Sequence, residues 1–152
     1  MSPGSPSSGP DVGTPRIFTV AEAERTLPLV RHIVGDLLLA YPEWREALAR
    51  YELLTGPARA EWGETQELLA AREAVTSQAE RIHKYLEELD QIGCVFKGFE
   101  AGLVDFYALR EDRLVFLCWK LGEERITHWH DVDAGFAGRH PIDNTMLSET
   151  IA

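Results

Sequence analysis

The fold is decided by two strand-forming runs around one acidic pair, Leu103-Val104-Asp105-Phe106-Tyr107-Ala108-Leu109-Arg110-Glu111-Asp112-Arg113-Leu114-Val115-Phe116-Leu117-Cys118-Trp119-Lys120. β-branched and aromatic residues are frequent in both runs, as they are in strands. A two-residue polar interruption between such runs is typical of a tight β-hairpin. The sequence therefore predicts antiparallel strands at 103–110 and 113–120. Short strand-like runs at 94–96 and 126–131 extend them to a three- to four-stranded antiparallel sheet.

Two long amphipathic helices are predicted before this sheet. Thr19 and Glu22 form the Ser/Thr-x-x-Glu pattern of a capping box, which indicates a helix beginning there. Within that helix, Pro28 and Pro42 each lack a backbone donor, so we expect kinks or short breaks at both. A second helix is expected over about 61–91, where apolar residues recur seven apart: Leu68, Val75, Ile82 and Leu89.

The two helices are predicted to form a long antiparallel hairpin, which makes the chain an α+β protein. Heptad spacing serves pairing within one chain and pairing between chains equally well, and the second use predicts a homodimer through the helices. We expect one domain over residues 16–142, a disordered Ser/Gly/Pro-rich tail over residues 1–15 and a flexible tail over residues 143–152.

Charge and cysteine content exclude several classes of protein. The chain has 25 acidic and 15 basic residues, a formal net charge of -10, which repels nucleic acid and anionic membrane surfaces. No apolar run approaches the ~20 residues of a membrane span, and the N-terminal residues do not resemble a secretory signal. Cys94 and Cys118 lie in apolar runs and are expected to be buried and reduced, which favours the cytoplasm.

A pair of histidines near the end of the chain suggests a metal site. His128 and His130 are two residues apart on a predicted strand, so their Cβ atoms leave the same face ~6.5–7 Å apart. A third ligand would come from the residues that follow: Asp131, Asp133 or His140. Such a set suits zinc or iron, and a metal-bound water would provide the chemistry of an enzyme. Alternatively, the histidines flank a core-directed Trp129 and hydrogen-bond to nearby acids.

The register of this last strand decides what the histidines face. If the turn at Gly122 has an odd-numbered loop, His128 lies opposite Cys118 on the face that carries Asp105. An even-numbered loop sets His128 opposite Leu117, on the other face, because a one-residue slip turns every side chain over. The sequence leaves both registers open.

Two further polar features lie close by. Asp105 stands in an apolar strand, so it must face solvent or be paired, and we expect Lys120, Arg139 or a bound cation as its partner. The loop Gly135–Arg139 could hold a small anion against its backbone amides, with Arg139 as the counter-charge.

Several segments resemble the bacterial domain-of-unknown-function family DUF2203. The resemblance rests on Phe18-Thr19-x-x-Glu22-Ala23, Gly102-Leu103-Val104-Asp105-Phe106, Leu117-Cys118-Trp119-Lys120-Leu121-Gly122-Glu123 and His130-Asp131-Val132-Asp133-Ala134-Gly135-Phe136-Ala137-Gly138-Arg139. It covers roughly residues 17–142. It implies a bacterial cytosolic protein and brings no activity with it. It also implies that His130, with Asp131 and Arg139, matters more than His128.

Two hypotheses of function follow. The favoured one is an interaction or oligomerisation module built on the helical hairpin, because packing alone accounts for every helix and strand. In it, the polar His/Asp/Arg cluster only fastens the sheet. The other is a metal- or small-ligand-binding protein, in the further case a metal-dependent enzyme, which uses His130, Asp131, Asp105 and His128.

Overall fold

The computed structural model describes residues 15–147, and its first half is a helical hairpin. Helix α1 spans Val20–Leu54, a 3₁₀ segment spans Pro57–Trp62, and helix α2 spans Gln66–Ile92. The capping box is confirmed: the Glu22 amide donates to Thr19 Oγ1 over 3.0 Å, and the Thr19 amide donates to the Glu22 carboxylate over 2.9 Å.

Helix α1 continues through both prolines, so the expected short breaks do not occur. Pro28 and Pro42 both lie on the exposed side of the helix. Each proline removes one backbone hydrogen bond, whereas the opposite side of the helix keeps its buried apolar contacts, such as those of Leu27 and Ala40. Tertiary packing therefore holds the helix together across the missing donors.

The second half is a five-stranded antiparallel sheet in the order β1-β2-β3-β4-β5. The strands are β1 Val95–Gly98, β2 Leu103–Arg110, β3 Arg113–Lys120, β4 His128–Asp131 and β5 His140–Pro141. The sequence predicted three to four strands and both long strands with these bounds; the additional strand is the two-residue β5. Glu111 and Asp112 have φ angles of 52° and 66°, as the two-residue turn of a hairpin requires.

The hydrophobic core lies between the helices and one face of the sheet. Phe106 and Trp119 point into it and are fully buried. Phe18 fastens the start of α1 to the sheet, because its amide donates to the Tyr107 carbonyl over 2.7 Å and its ring meets that of Phe106 edge-on. Since side chains alternate along a strand, Asp105 and Cys118 lie on the opposite face, away from the helices.

The two segments predicted as tails are described only in part. Residues 143–147, which the sequence assigned to the C-terminal tail, include a helical turn at Asn144–Leu147 whose Met146 is buried in the core. The predicted N-terminal tail lies, apart from Pro15, outside the described residues. Among residues 15–147, no helix combines the length and the apolar character that crossing a membrane requires.

Candidate metal centre

The register of β4 brings the polar residues onto one face. Cys118 pairs with His128 and Phe116 pairs with His130, which is the register of an odd-numbered loop. Leu117 pairs with Trp129, and both are buried in the core. The face opposite the helices therefore carries Asp105 on β2, Cys118 on β3 and the histidines of β4.

Three of these residues form a compact buried cluster, which we call the Asp105–Cys118–His130 triad. Each is 2–3% exposed. One carboxylate oxygen, the thiol sulfur and one imidazole nitrogen all lie within 4.8 Å of one another. The closest approach joins His130 Nε2 to Asp105 Oδ1 at 3.1 Å, with Oδ2 at 3.2 Å. Three different types of metal-binding atom thus meet at one point in a buried site.

The hydrogen bonds of His130 fix which of its nitrogens faces the triad. His130 Nδ1 lies 2.8 Å from the backbone carbonyl of Asp131, which can only accept, so Nδ1 carries a hydrogen. In the neutral imidazole Nε2 is then an acceptor, yet it faces the carboxylate oxygens of Asp105, which also accept when ionised. The pair requires a proton or a metal cation between its members. A carbonyl that holds one nitrogen so that the other can ligate is the usual arrangement around metal-binding histidines.

Burial disfavours the charged forms of both acids of the triad, Asp105 and Cys118. Burial raises the pKa of Asp105, and the neighbouring His130 and Lys97 oppose that rise without cancelling it. Burial, together with the nearby Asp105 carboxylate, raises the pKa of the Cys118 thiol to about 11, although Arg139 opposes the rise. A bound cation would reverse both effects, because it stabilises carboxylate and thiolate directly.

A cavity of about 240 Å³ opens over the triad. Lys97 and Leu103 lie on its strand side, whereas Ala134, Gly135 and Phe136 cover it from the segment after β4. We call residues 132–139 the cover segment.

The cover segment is fastened by Arg139. Its Nη2 donates to both carboxylate oxygens of Glu123, over 3.0 and 3.1 Å, and to the Cys118 carbonyl over 3.3 Å. Gly138 lets the segment turn tightly, since a Cβ there would lie 2.9 Å from that of Ala134. The triad is consequently enclosed on the side away from the core and still has space above it.

The structure brings together only part of the predicted site. His130 and Asp105 meet, and Cys118 joins them. The other predicted residues lie outside the triad. His128 Nδ1 lies 2.8 Å from Thr127 Oγ1, the Asp131 carboxylate pairs with Arg113 at 2.8 Å, and Arg139 pairs with Glu123. Asp133 is exposed, and the His140 ring packs at a tilt against Trp129 with the ring centroids 4.7 Å apart.

Two of the partners expected for Asp105, Lys120 and Arg139, do not pair with it; the third, a bound cation, stays a prediction. The Asp105 carboxylate contacts His130 and, at 4.0 Å, Lys97, rather than Lys120 or Arg139. The reason is the position of β1, which lies beside β2 and places Lys97 next to Asp105. Cys118 was predicted to join the site in one of the two registers, and Lys97 was not predicted.

A family of uncharacterized conserved proteins, DUF2203, matches residues 16–142, which include both helices, all five strands and the whole triad. The chain belongs to DUF2203. Three of the four segments that carry the resemblance to DUF2203 meet at the triad: Gly102–Phe106, Leu117–Glu123 and His130–Arg139 contain its three residues and the cover segment. The fourth contains the capping box that begins helix α1, which packs on the sheet. No curated protein and no solved structure matches the chain.

Proposed function

We propose that this DUF2203 protein binds a divalent transition metal, zinc in preference to iron, through the Asp105–Cys118–His130 triad. The observation that carries the proposal is the convergence of the three ligand atoms within 4.8 Å in a buried site. Ligand atoms around a tetrahedral zinc ion lie about 3.3–3.8 Å apart, so small side-chain movements would close the triad around the metal.

The ligand types favour zinc. A thiolate is a soft ligand that suits zinc, whereas the non-haem iron triad uses two histidines and one carboxylate. Here Cys118 takes the place that the sequence analysis gave to His128. Three protein ligands leave a fourth position, and the cavity lies where that position would open. Closed structural zinc sites use four protein ligands, whereas catalytic sites use three and keep one position for water.

A metal-dependent hydrolytic reaction is the chemistry that this arrangement supports. A zinc ion held by Asp105, Cys118 and His130 would lower the pKa of a bound water to about 7 and so would supply a nucleophile for carbonyl or phosphoryl groups. Asp131 contributes its backbone carbonyl, which orients His130, rather than its carboxylate. The 240 Å³ cavity would hold the substrate over the triad.

The thiolate ligand also bears on location. Cys94 and Cys118 are both free and buried. Oxidation of Cys118 would remove a ligand, and thiols remain reduced in the cytoplasm. We therefore place the protein in the cytoplasm.

Elemental analysis of protein purified without a histidine tag tests the proposal. One equivalent of zinc per chain is expected. Substitution by cobalt is expected to produce a thiolate-to-metal charge-transfer band that Cys118→Ser abolishes and the matched control Cys94→Ser retains. The absence of stoichiometric metal, together with an unchanged melting temperature on addition of zinc, iron or manganese, would overturn the proposal.

A second candidate function concerns the outer part of the hairpin, residues 45–81, none of which packs against the core between the helices and the sheet. Ala71 is the single buried apolar residue there, and large apolar side chains such as Leu53, Trp62 and Leu69 are 47–77% exposed. A second copy of the chain would complete a four-helix layer over these residues. We propose a homodimer through this part of the hairpin.

Size-exclusion chromatography with light scattering tests the dimer. A mass of twice the 17.1 kDa chain is expected, and Leu53→Glu with Leu69→Glu should yield the monomer. Leu109→Glu with Leu114→Glu, on exposed apolar residues of the sheet, is the matched control and should leave the dimer intact. A wild-type monomer at high micromolar concentration would exclude this mode of association.

A further inference from the structure

Lysines are few in this strongly acidic chain, and two of them lie at or beside the cavity. The chain has only three lysines, Lys84, Lys97 and Lys120, against a formal net charge of -10. One of the three lines the cavity and a second lies beside it, at an edge that we call the mouth. Lys97 lines the cavity directly. The Lys120 ammonium lies 5.7 Å from the centre of the Phe136 ring, and Phe136 covers the cavity.

Both lysines extend from the face that carries the triad. Lys120 pairs with Leu103 across β2 and β3, and Lys97 precedes Gly98, which pairs with Leu103 from the other side. Adjacent strands are about 4.8 Å apart, so the two lysine backbones are about 10 Å apart with Leu103 between them. Lysine side chains are long enough for both ammonium groups to reach one ligand above Leu103.

Few acidic groups of the protein compete with a ligand for the two ammonium groups. Lys97 Nζ lies above the Phe116 ring and has one carboxylate neighbour, Asp105, at 4.0 Å. A metal bound to the triad would be ligated by that carboxylate, which would then no longer pair with Lys97. In the part of the chain that the structure describes, the Lys120 ammonium has no hydrogen bond or ion pair. Arg139, the other cation near Phe136, is already neutralised by Glu123.

We propose that the cavity binds a small organic anion whose carboxylate or phosphate group is held by Lys97 and Lys120 above Leu103. This inference rests on the proposed metal site, since it names the class of substrate which that site would act on. The cavity of about 240 Å³ is smaller than the roughly 300–1,000 Å³ of pockets for drug-sized ligands, so the anion is a small one. Leu103 and Phe136 would contact its apolar part.

Titration of inorganic phosphate and of acetate into ¹⁵N-labelled protein tests the inference. Each probe is added to metal-free protein, prepared with a chelator, and to the same protein after loading with one equivalent of zinc. We expect amide shifts at the cavity mouth, at Lys97, Leu103, Lys120 and Gly135. The probe that binds more tightly identifies the acid group. Because the lysines contact the anion themselves, binding to the metal-free protein tests this inference even if zinc does not bind.

Matched variants assign the binding to the two ammonium groups. Lys97→Met and Lys120→Met each remove a charge-assisted hydrogen bond and keep the length of the side chain, so each should weaken phosphate binding about tenfold or more. Lys84→Met, on α2, should have no effect. Lys97→Arg and Lys120→Arg should retain binding, and all variants should retain the wild-type zinc content.

Three results would overturn the inference. In the first, neither probe shifts the amides at the cavity mouth. In the second, a Lys97→Met/Lys120→Met double variant binds phosphate as tightly as the wild type. In the third, Lys84→Met loses as much phosphate affinity as Lys97→Met or Lys120→Met. A normal zinc content with any of these results would contradict the anion site alone. Missing zinc with lysine-dependent phosphate binding would contradict the metal site alone.

Discussion

Replacing Asp105 by Asn separates the stability of the metal-free fold from the stability that a metal adds. The Asp105 carboxylate is 2% exposed, and burial raises its pKa despite the nearby His130 and Lys97. The ionised carboxylate is thus less favourable in the fold than in water. Asn has nearly the same shape, carries no charge, and its amide can donate to His130 Nε2.

The expected changes can be estimated from these contacts. Without metal, Asp105→Asn should change the free energy of unfolding by less than about 1 kcal/mol, because one hydrogen bond replaces another. Asp105→Ala leaves His130 Nε2 without a partner in a buried site and should cost about 1–3 kcal/mol. Zinc at a hundred times its dissociation constant stabilises the wild type by about 2.7 kcal/mol. In a domain of this size that raises the melting temperature by about 5–11 °C.

Thermal unfolding with and without zinc measures both effects. Asp105→Asn should melt near the metal-free wild type and lose most of the zinc-dependent rise. The matched control is Asp131→Asn, which removes a carboxylate that pairs with Arg113 at the surface and leaves the backbone carbonyl that orients His130. This control should keep the rise. A loss of more than about 2 kcal/mol of unfolding free energy in metal-free Asp105→Asn would contradict this prediction, and so would the same rise in melting temperature with zinc as in the wild type.

Three further predictions test separate parts of the molecule. Burial raises the pKa of the Cys94 thiol to about 12, so in a Cys118→Ser chain at pH 8 only about one thiol in ten thousand is ionised. Ellman's reagent should therefore react slowly with the native Cys118→Ser protein and rapidly after unfolding in guanidinium, and a rapid reaction of the native protein would contradict this. Thr19→Ala removes the N-cap acceptor of α1 and should cost about 1 kcal/mol in urea unfolding, whereas a value near zero would show that the capping box adds nothing. Gly102→Ala should cost about 1–3 kcal/mol in the same assay, because Gly102 has a φ of 67° and a new Cβ would lie 2.9 Å from Leu121 Cβ; wild-type stability would show that the loop can shift.

The sheet could be predicted from the sequence wherever local residues determine it. The β2–β3 hairpin follows from two runs around Glu111-Asp112, and a two-residue turn leaves a single register for the strands. The register of β4 was left open, although the sequence contains a signal for it. Trp119 must face the core, and if Trp129 does too, then His130 must share the outer face with Asp105 and Cys118.

The rest of the site depends on contacts that no local pattern specifies. Lys97 lies next to Asp105 because β1 pairs with β2, and the loop between these strands is compatible with other arrangements. Strand β5 consists of two residues, of which Pro141 has no amide to donate, so it carries almost no strand signal. Asp131 follows His130 directly and looked like a ligand, but successive residues of a strand point to opposite faces. Its carboxylate therefore turns away from the triad.

The role of Arg139 follows from where its charge is neutralised. Its guanidinium binds the carboxylate of Glu123, which also accepts from the Lys120 amide over 2.9 Å. The Glu123 carbonyl in turn accepts from Trp119 Nε1. Arg139 thereby joins the cover segment to the β3–β4 turn and to the strand that carries Cys118. Because its charge is already paired, Arg139 positions the cover segment, and the proposed anion site would depend on Lys97 and Lys120 for its positive charge.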